Sequence, residues 1–224
     1  MGTVGVEWVK AYHGIAGNLT NTKPQAEGFY NGLSATRRFN WGDDWAWDQD
    51  FEQSGVGSPP AGTDSTWVDD VDFVFFSGHG APGGFLFGVN TDDHQVKPTE
   101  VRWGDRQLEW IALDACNVLE RDGVFDRWGW PVFKGLHYIL GFHTVTGDEP
   151  DRGWLLAMYL NAGWTVRQAW IRCCQDTEGS SREWAYLRAD AAGTDTYNDH
   201  WWGAGTTSND PFSPTSLFYA RGAC

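Results

Sequence analysis

The sequence predicts an α/β fold built on a mainly parallel sheet, and three observations carry that prediction. Val71–Ser77 ("VDFVFFS") is a near-continuous apolar run that ends at a glycine, the signature of a strand covered on both faces. Two comparable runs recur downstream, Leu108–Leu113 ("LEWIAL") and His137–Phe142 ("HYILGF"). Helical patterns then follow, and strands separated by helices point to parallel pairing with helices flanking the sheet.

Taken in order, Thr3–Val9 reads as a first strand. Asn21-Thr22-Lys23-Pro24 offers a polar cap and a first-turn proline, and so opens a helix through about Leu33. Arg37–Trp41 fits a second strand. Asp43–Thr66 is acidic, then rich in Gly, Ser and Pro ("SGVGSPPAGTDS"), and is expected to be a surface loop. The run 71–77 follows, with a short hairpin arm over Gly83–Phe87. After the strands at 108–113 and 137–142, "DRGWLLAMYLNAG" makes a helix that stops at Gly163, and Thr165 caps a second helix, "TVRQAWIRCC". Residues 1–178 thus form one α/β domain. Residues 179–224 are a Trp- and Gly-rich C-terminal extension packed on it, expected to be mostly loop with one strand near Leu217–Ala220. No internal repeat is present.

Composition narrows the function. The chain has 224 residues, 41% of them hydrophobic, and a net charge of −14. That charge disfavours nucleic acid and anionic membranes and permits basic partners or cationic substrates, with oligomeric state open. No apolar run approaches the ~20 residues of a membrane helix. Met1–Lys10 has no basic region followed by an apolar block, so no signal peptide is expected and the protein reads as cytoplasmic. Cys116, Cys173, Cys174 and Cys224 form neither a disulfide framework nor a zinc spacing. Asp43-Asp44, Asp48, Asp50 and Asp92-Asp93 lack the spacing of a calcium loop. No metal or other cofactor is therefore expected, with calcium left open and unsupported by a motif. The 15 tryptophans read mainly as packing, with Trp41–Trp47 and Trp201-Trp202 as candidates to cover a substrate.

Two strand ends carry the chemistry. Functional groups in a parallel sheet gather where strands end at the carboxyl edge. Val71–Ser77 runs into Gly78-His79-Gly80, and Leu108–Leu113 runs into Asp114-Ala115-Cys116. If these strands are parallel neighbours, an imidazole and a thiol share one rim. The thiolate is the nucleophile, yet a free thiol is little ionised near neutrality, and an imidazole beside it shifts that balance. The backbone N–H groups of Gly80 and Cys116 are candidates for an oxyanion hole. Period-two alternation puts Asp114 on the same face as Cys116, where its carboxylate suits a cationic side chain. Asp148, Glu149 and Asp151 offer an alternative acidic wall, and Arg152 in the same loop argues the other way. His13 and His143 also end on strand-to-loop junctions and read as structural.

"FSGHGAPGGFLFG" and "IALDACNVLE" resemble the histidine and nucleophile strands of clan CD cysteine peptidases, the group of caspases, metacaspases, legumains, gingipains and separases, and of the related CHAT domains. "FKGLHYILGFHTVTGDEPDRGWLLAMYLNAGWTVRQAW" resembles the CHAT run of a strand, a variable loop and two helices, so the likeness spans about Asp69–Cys174. The resemblance implies a caspase-like sheet, with His79 as general acid/base and Cys116 as nucleophile. It also implies hydrolysis of peptide bonds through a thioester acyl-enzyme, without cofactor. Metacaspases carry an aspartate at the position of Asp114, which implies cleavage after Arg or Lys. Asn117-Val118 replaces the Arg-Gly that follows the caspase cysteine. Two alternatives stay open: an acyltransferase, ligase or cyclase using the same acyl-enzyme, and an inactive scaffold that binds a partner.

Overall fold

The computed structural model describes residues 1–57, 62–89 and 93–224. In chain order the elements are β1 (Thr3–Trp8), α1 (Thr22–Gly32), β2 (Thr36–Gly42), β3 (Phe73–Ser77), β4 (Gly80–Ala81), β5 (Gly84–Leu86), β6 (Gln95–Val96), β7 (Trp110–Asp114), α2 (Val124–Trp128), β8 (Tyr138–Phe142), α3 (Arg152–Asn161), α4 (Val166–Thr177), β9 (Glu183–Asp190) and β10 (Ser216–Ala223). One seven-stranded sheet has the order β10-β9-β8-β7-β3-β1-β2. The five strands from β2 to β8 are parallel, and β9 and β10 are antiparallel. The fold is α/β with a mostly parallel sheet, as the sequence predicts.

The apolar runs explain the centre of that sheet. Every residue of β3, β7 and β8 is buried, so both faces must be covered. Alternation divides each strand between two cores. Phe73 and Phe75 join Trp110, Ala112 and Leu140 beneath α1, α3 and α4, where Phe29, Leu156 and Trp170 pack. Val74 and Phe76 face the other way, toward Phe51, Phe85, Trp103 and Trp128, supplied by loops, the β4–β6 arm and α2. Trp103, Trp110, Trp128, Trp170 and Trp201 are fully buried, which accounts for a third of the tryptophans as core. Thr165 caps α4 as expected, its side chain accepting from the Gln168 amide. Cys173 and Cys174 lie in the core, and all four cysteines are free.

Three expectations need correction. The region after 178 holds two long strands rather than one: β9 and β10 pair along their whole length and extend the main sheet from β8. "EWAYLRAD" escapes notice because it alternates charged, aromatic and small residues, and its neighbours rather than its own apolarity make it a strand. Asn21 makes no side-chain cap bond to α1; its amide nitrogen donates instead to the Asp148 carbonyl at 2.7 Å. The segment 43–66 is more than a surface loop, since it winds into short turns at Asp43–Trp45 and Asp48–Phe51 and buries Phe51. Residues 58–61 of that segment, and Asp92 of the proposed acidic pair, lie outside the described residues. No described helix is long and apolar enough to cross a membrane.

Candidate active site

β3 and β7 are adjacent and parallel, with Ser77 opposite Asp114 at their carboxyl ends. The chain leaves both strands at the same rim, and the second residues beyond, His79 and Cys116, line one pocket of about 90 Å³. The same pocket is lined by Ser77, Asp114, Gly147 and Asp148. Residues 37 apart in sequence are thus brought to one rim by the pairing of β3 with β7.

The loop after β1 holds the imidazole. His79 Nε2 lies 2.7 Å from the Gly17 carbonyl. A carbonyl only accepts, so Nε2 carries the proton and Nδ1 is the nitrogen with a free lone pair. The His79 backbone N–H donates to the Tyr12 hydroxyl at 2.7 Å, and the two rings sit 4.6 Å apart. Burial raises the Tyr12 phenol well above its ordinary range, so it stays a neutral hydroxyl. Sequence reasoning missed both Tyr12 and Gly17. The only signal was that a loop leaving β1 must emerge at the same rim as β3.

The turn carrying Cys116 is fixed from the other side. Cys116 is half-buried, and its sulfur accepts from the Thr146 amide at 3.4 Å. Asn117 adopts φ = 58°, a left-handed conformation that asparagine tolerates better than most residues. Its amide donates to the Thr144 carbonyl at 3.0 Å, and the Leu119 amide to the Phe142 carbonyl at 3.0 Å, locking the turn to the end of β8. The asparagine that departs from the caspase pattern therefore has a local steric reason. Gly80 runs close beneath this turn: a Cβ there would lie 2.7 Å from the Ala115 Cβ and 2.9 Å from the Cys116 carbonyl oxygen.

The acidic residues behave differently from one another. Asp114 is buried, and its Oδ1 pairs with Arg152 at 2.5 Å. Arg152 also pairs with Glu178 and donates to Thr177 Oγ1 at 3.1 Å. Glu178 in turn accepts from Thr146 Oγ1 and the Gly147 amide, each at 2.6 Å. Burial pushes the Asp114 carboxyl up to about 6 against the opposing pull of Arg152. Arg152 is thus a buried strut at the start of α3, with no face toward a substrate. Asp148 Oδ2 accepts from the Thr20 and Asn21 amides at 2.6 and 2.9 Å, placing a carboxylate at the amino end of α1. Its Oδ1 and the Asp114 Oδ2 are buried and have no hydrogen-bond partner among the described residues.

Other candidates fall elsewhere. His13 is exposed and contacts Asp44 at 3.2 Å. His143 accepts from the Arg121 amide at 3.0 Å. Trp201 and Trp202 lie at the opposite rim: they line a cavity with Met1, Ser34 and Asn161, beside the starts of β1 and β2, and cannot cover this pocket. His137, which the sequence left without context, is fully buried between Asp199 at 2.5 Å and Asp210 at 3.3 Å at that same far rim. Among the described residues no cluster of three or more His, Cys, Asp or Glu is arranged to hold a metal ion.

A family model described as a domain of unknown function (DUF6345) matches residues 6–222. No curated protein matches the chain. Among solved structures, a secreted C11 cysteine protease from Bacteroides thetaiotaomicron, in complex with an irreversible peptide inhibitor, is similar with a TM-score of 0.48 and 10% identity. The match covers 84% of this chain and 66% of that protease, just under two thirds of its length. A likeness so distant says nothing about activity.

Proposed function

The chain belongs to the DUF6345 family, and for this member we propose a cysteine peptidase that works through a Cys116–His79 dyad. The observation that carries the reading is the shared pocket: a thiol and an imidazole at the carboxyl ends of two adjacent parallel strands, each held by backbone from a separate loop. The thiol proton passes to His79 Nδ1, and the sulfur attacks the scissile carbonyl carbon. The N–H groups of Gly80 and Cys116 receive the developing oxyanion, where loss of one such donor typically costs about 2.7–4 kcal/mol. His79 returns the proton to the departing amine, and water then cleaves the thioester to release the acid and regenerate the thiol.

Substrate preference follows from the pocket's charge. Asp114 and Asp148 line the pocket, and the one guanidinium nearby, Arg152, is shared between Asp114 and Glu178, so the wall keeps a negative balance. The unpartnered oxygens of Asp114 and Asp148 support a preference for Arg or Lys before the cut. Asp148 is the stronger candidate, because the charge of Asp114 is already shared with Arg152.

The test is a thiol-directed, peptide-like electrophile carrying Lys or Arg, followed by intact and peptide mass spectrometry. A single adduct on Cys116, abolished in His79→Ala, is the expected result. Labelling only at Cys224, or labelling of Cys116 that is indifferent to His79, rejects the dyad.

A further inference from the structure

Four tryptophans outside the site described above stand around one cavity. Trp41 at the end of β2, Trp45 and Trp47 in the turn that follows, and Trp67 line a space of about 270 Å³ together with Asp50. Trp41 and Trp67 meet edge to face, their ring centroids 5.5 Å apart and their planes at 86°, so they form two perpendicular walls. The Trp47 ring is fixed by its Nε1, which donates to the Asp44 carbonyl at 3.0 Å, and Ala46 between the two turn tryptophans is fully buried. Trp45 is 69% exposed and Trp47 37% exposed, an unusual display for the most costly aromatic side chain to leave in water.

The polar part of the cavity is as informative as its walls. Among the described residues Asp50 is the one lining residue that is not aromatic, and it is 2% exposed. Its Oδ1 accepts from Thr63 Oγ1 at 2.8 Å, which holds the carboxylate in place. Glu7 lies against Asp50, and burial followed by the charge of Asp50 pushes the Glu7 carboxyl well above its ordinary range, whereas Asp50 itself rises only to about 6. The turn "DDWAWDQD" carries four aspartates and no basic residue. Electron-rich ring faces on several sides and one fixed carboxylate complement a cation that needs no hydrogen-bond partners. A sugar would instead require several directional polar groups, and the cavity supplies one.

We propose that Trp41, Trp45, Trp47 and Trp67, with Asp50, form an aromatic cage that binds a methylated ammonium group. The space exceeds the ~150 Å³ of a cavity known to admit benzene, so a trimethylammonium head fits. The cage lies at the carboxyl end of the edge strand β2, two strands away from β3, and it works whether or not Cys116 is a nucleophile.

Titration of the full chain with choline, followed by tryptophan fluorescence and calorimetry, tests the cage. The control is the neutral isostere of choline in which carbon replaces nitrogen. Choline should bind saturably and about tenfold or more tighter than the isostere, since only the charge differs. Trp45→Ala, at a site already exposed and so able to fold, should weaken choline by about tenfold while the melting curve stays in place. Asp50→Asn should weaken choline and leave the isostere unchanged. Equal binding of choline and isostere, tighter binding of a neutral sugar, full affinity in Trp45→Ala, or no saturation by roughly 50 mM choline overturns the proposal.

Discussion

The Gly17 carbonyl and the His79 imidazole, 62 residues apart in sequence, share a 2.7 Å hydrogen bond at Nε2. That bond selects the tautomer and leaves Nδ1 as the only ring nitrogen able to take a proton from a thiol. The strand that carries the histidine therefore does not orient it; the loop after β1 does. Tyr12 from the same loop receives the His79 amide.

Tyr12→Phe removes that acceptor and nothing else from the fully buried ring. Losing one hydrogen bond of about 1 kcal/mol should slow labelling of Cys116 by roughly fivefold, with the fold intact by circular dichroism. An unchanged labelling rate would mean that Tyr12 does not position His79.

Gly80→Ala drives a methyl into the Cys116 turn, where the nearest atoms would be 2.7 to 2.9 Å away. Backbone or the turn must shift, at about 1–3 kcal/mol. A lowered unfolding midpoint in urea and loss of Cys116 labelling are expected together. Wild-type labelling at reduced stability would separate Gly80 from the chemistry.

Arg152→Met leaves Asp114 and Glu178 buried without their cation. Breaking a buried pair on one side costs about 3–5 kcal/mol, which chemical denaturation would read directly. Adding Asp114→Asn should restore part of the loss, because the uncompensated charge is then gone.

Stability should fall as pH rises. Burial holds the carboxyls of Asp50 and Asp114 up at about 6 and that of Asp64 at about 7, each above its unfolded value near 4. The folded chain then binds protons more tightly than the unfolded one, and the stabilisation present at low pH is lost as pH climbs through those values. His137 has the same sign: burial works against its charge, yet Asp199 and Asp210 raise its pKa overall, so its contribution also fades on the alkaline side. Scanning calorimetry should give a midpoint several degrees higher near pH 5.5 than near pH 8, at roughly 2–4 °C per kcal/mol. A midpoint that rises across that interval would contradict the raised carboxyl pKa values.

Much of this molecule can be read from the chain, for identifiable reasons. β3, β7 and β8 announce themselves because a strand buried on both faces must be apolar throughout. His79 and Cys116 follow from the same runs, since each lies just beyond a strand end. Tyr12 and Gly17 are invisible there, because one acts through a hydroxyl and the other through a backbone carbonyl, and no side-chain pattern reports either contact. The Arg152 pairing is hidden for another reason: a loop arginine beside acidic residues looks solvated until α3 turns it beneath the sheet edge. β9 is set by its partners on either side rather than by its own composition.

His137 with its two aspartates sits where β8 begins, whereas the thiol sits where the neighbouring strand β7 ends. Five residues of strand separate the two poles, about 15 Å. Changes that far apart contribute almost independently. Heat tolerance can accordingly be engineered at one pole while the reactivity of Cys116 is left alone at the other.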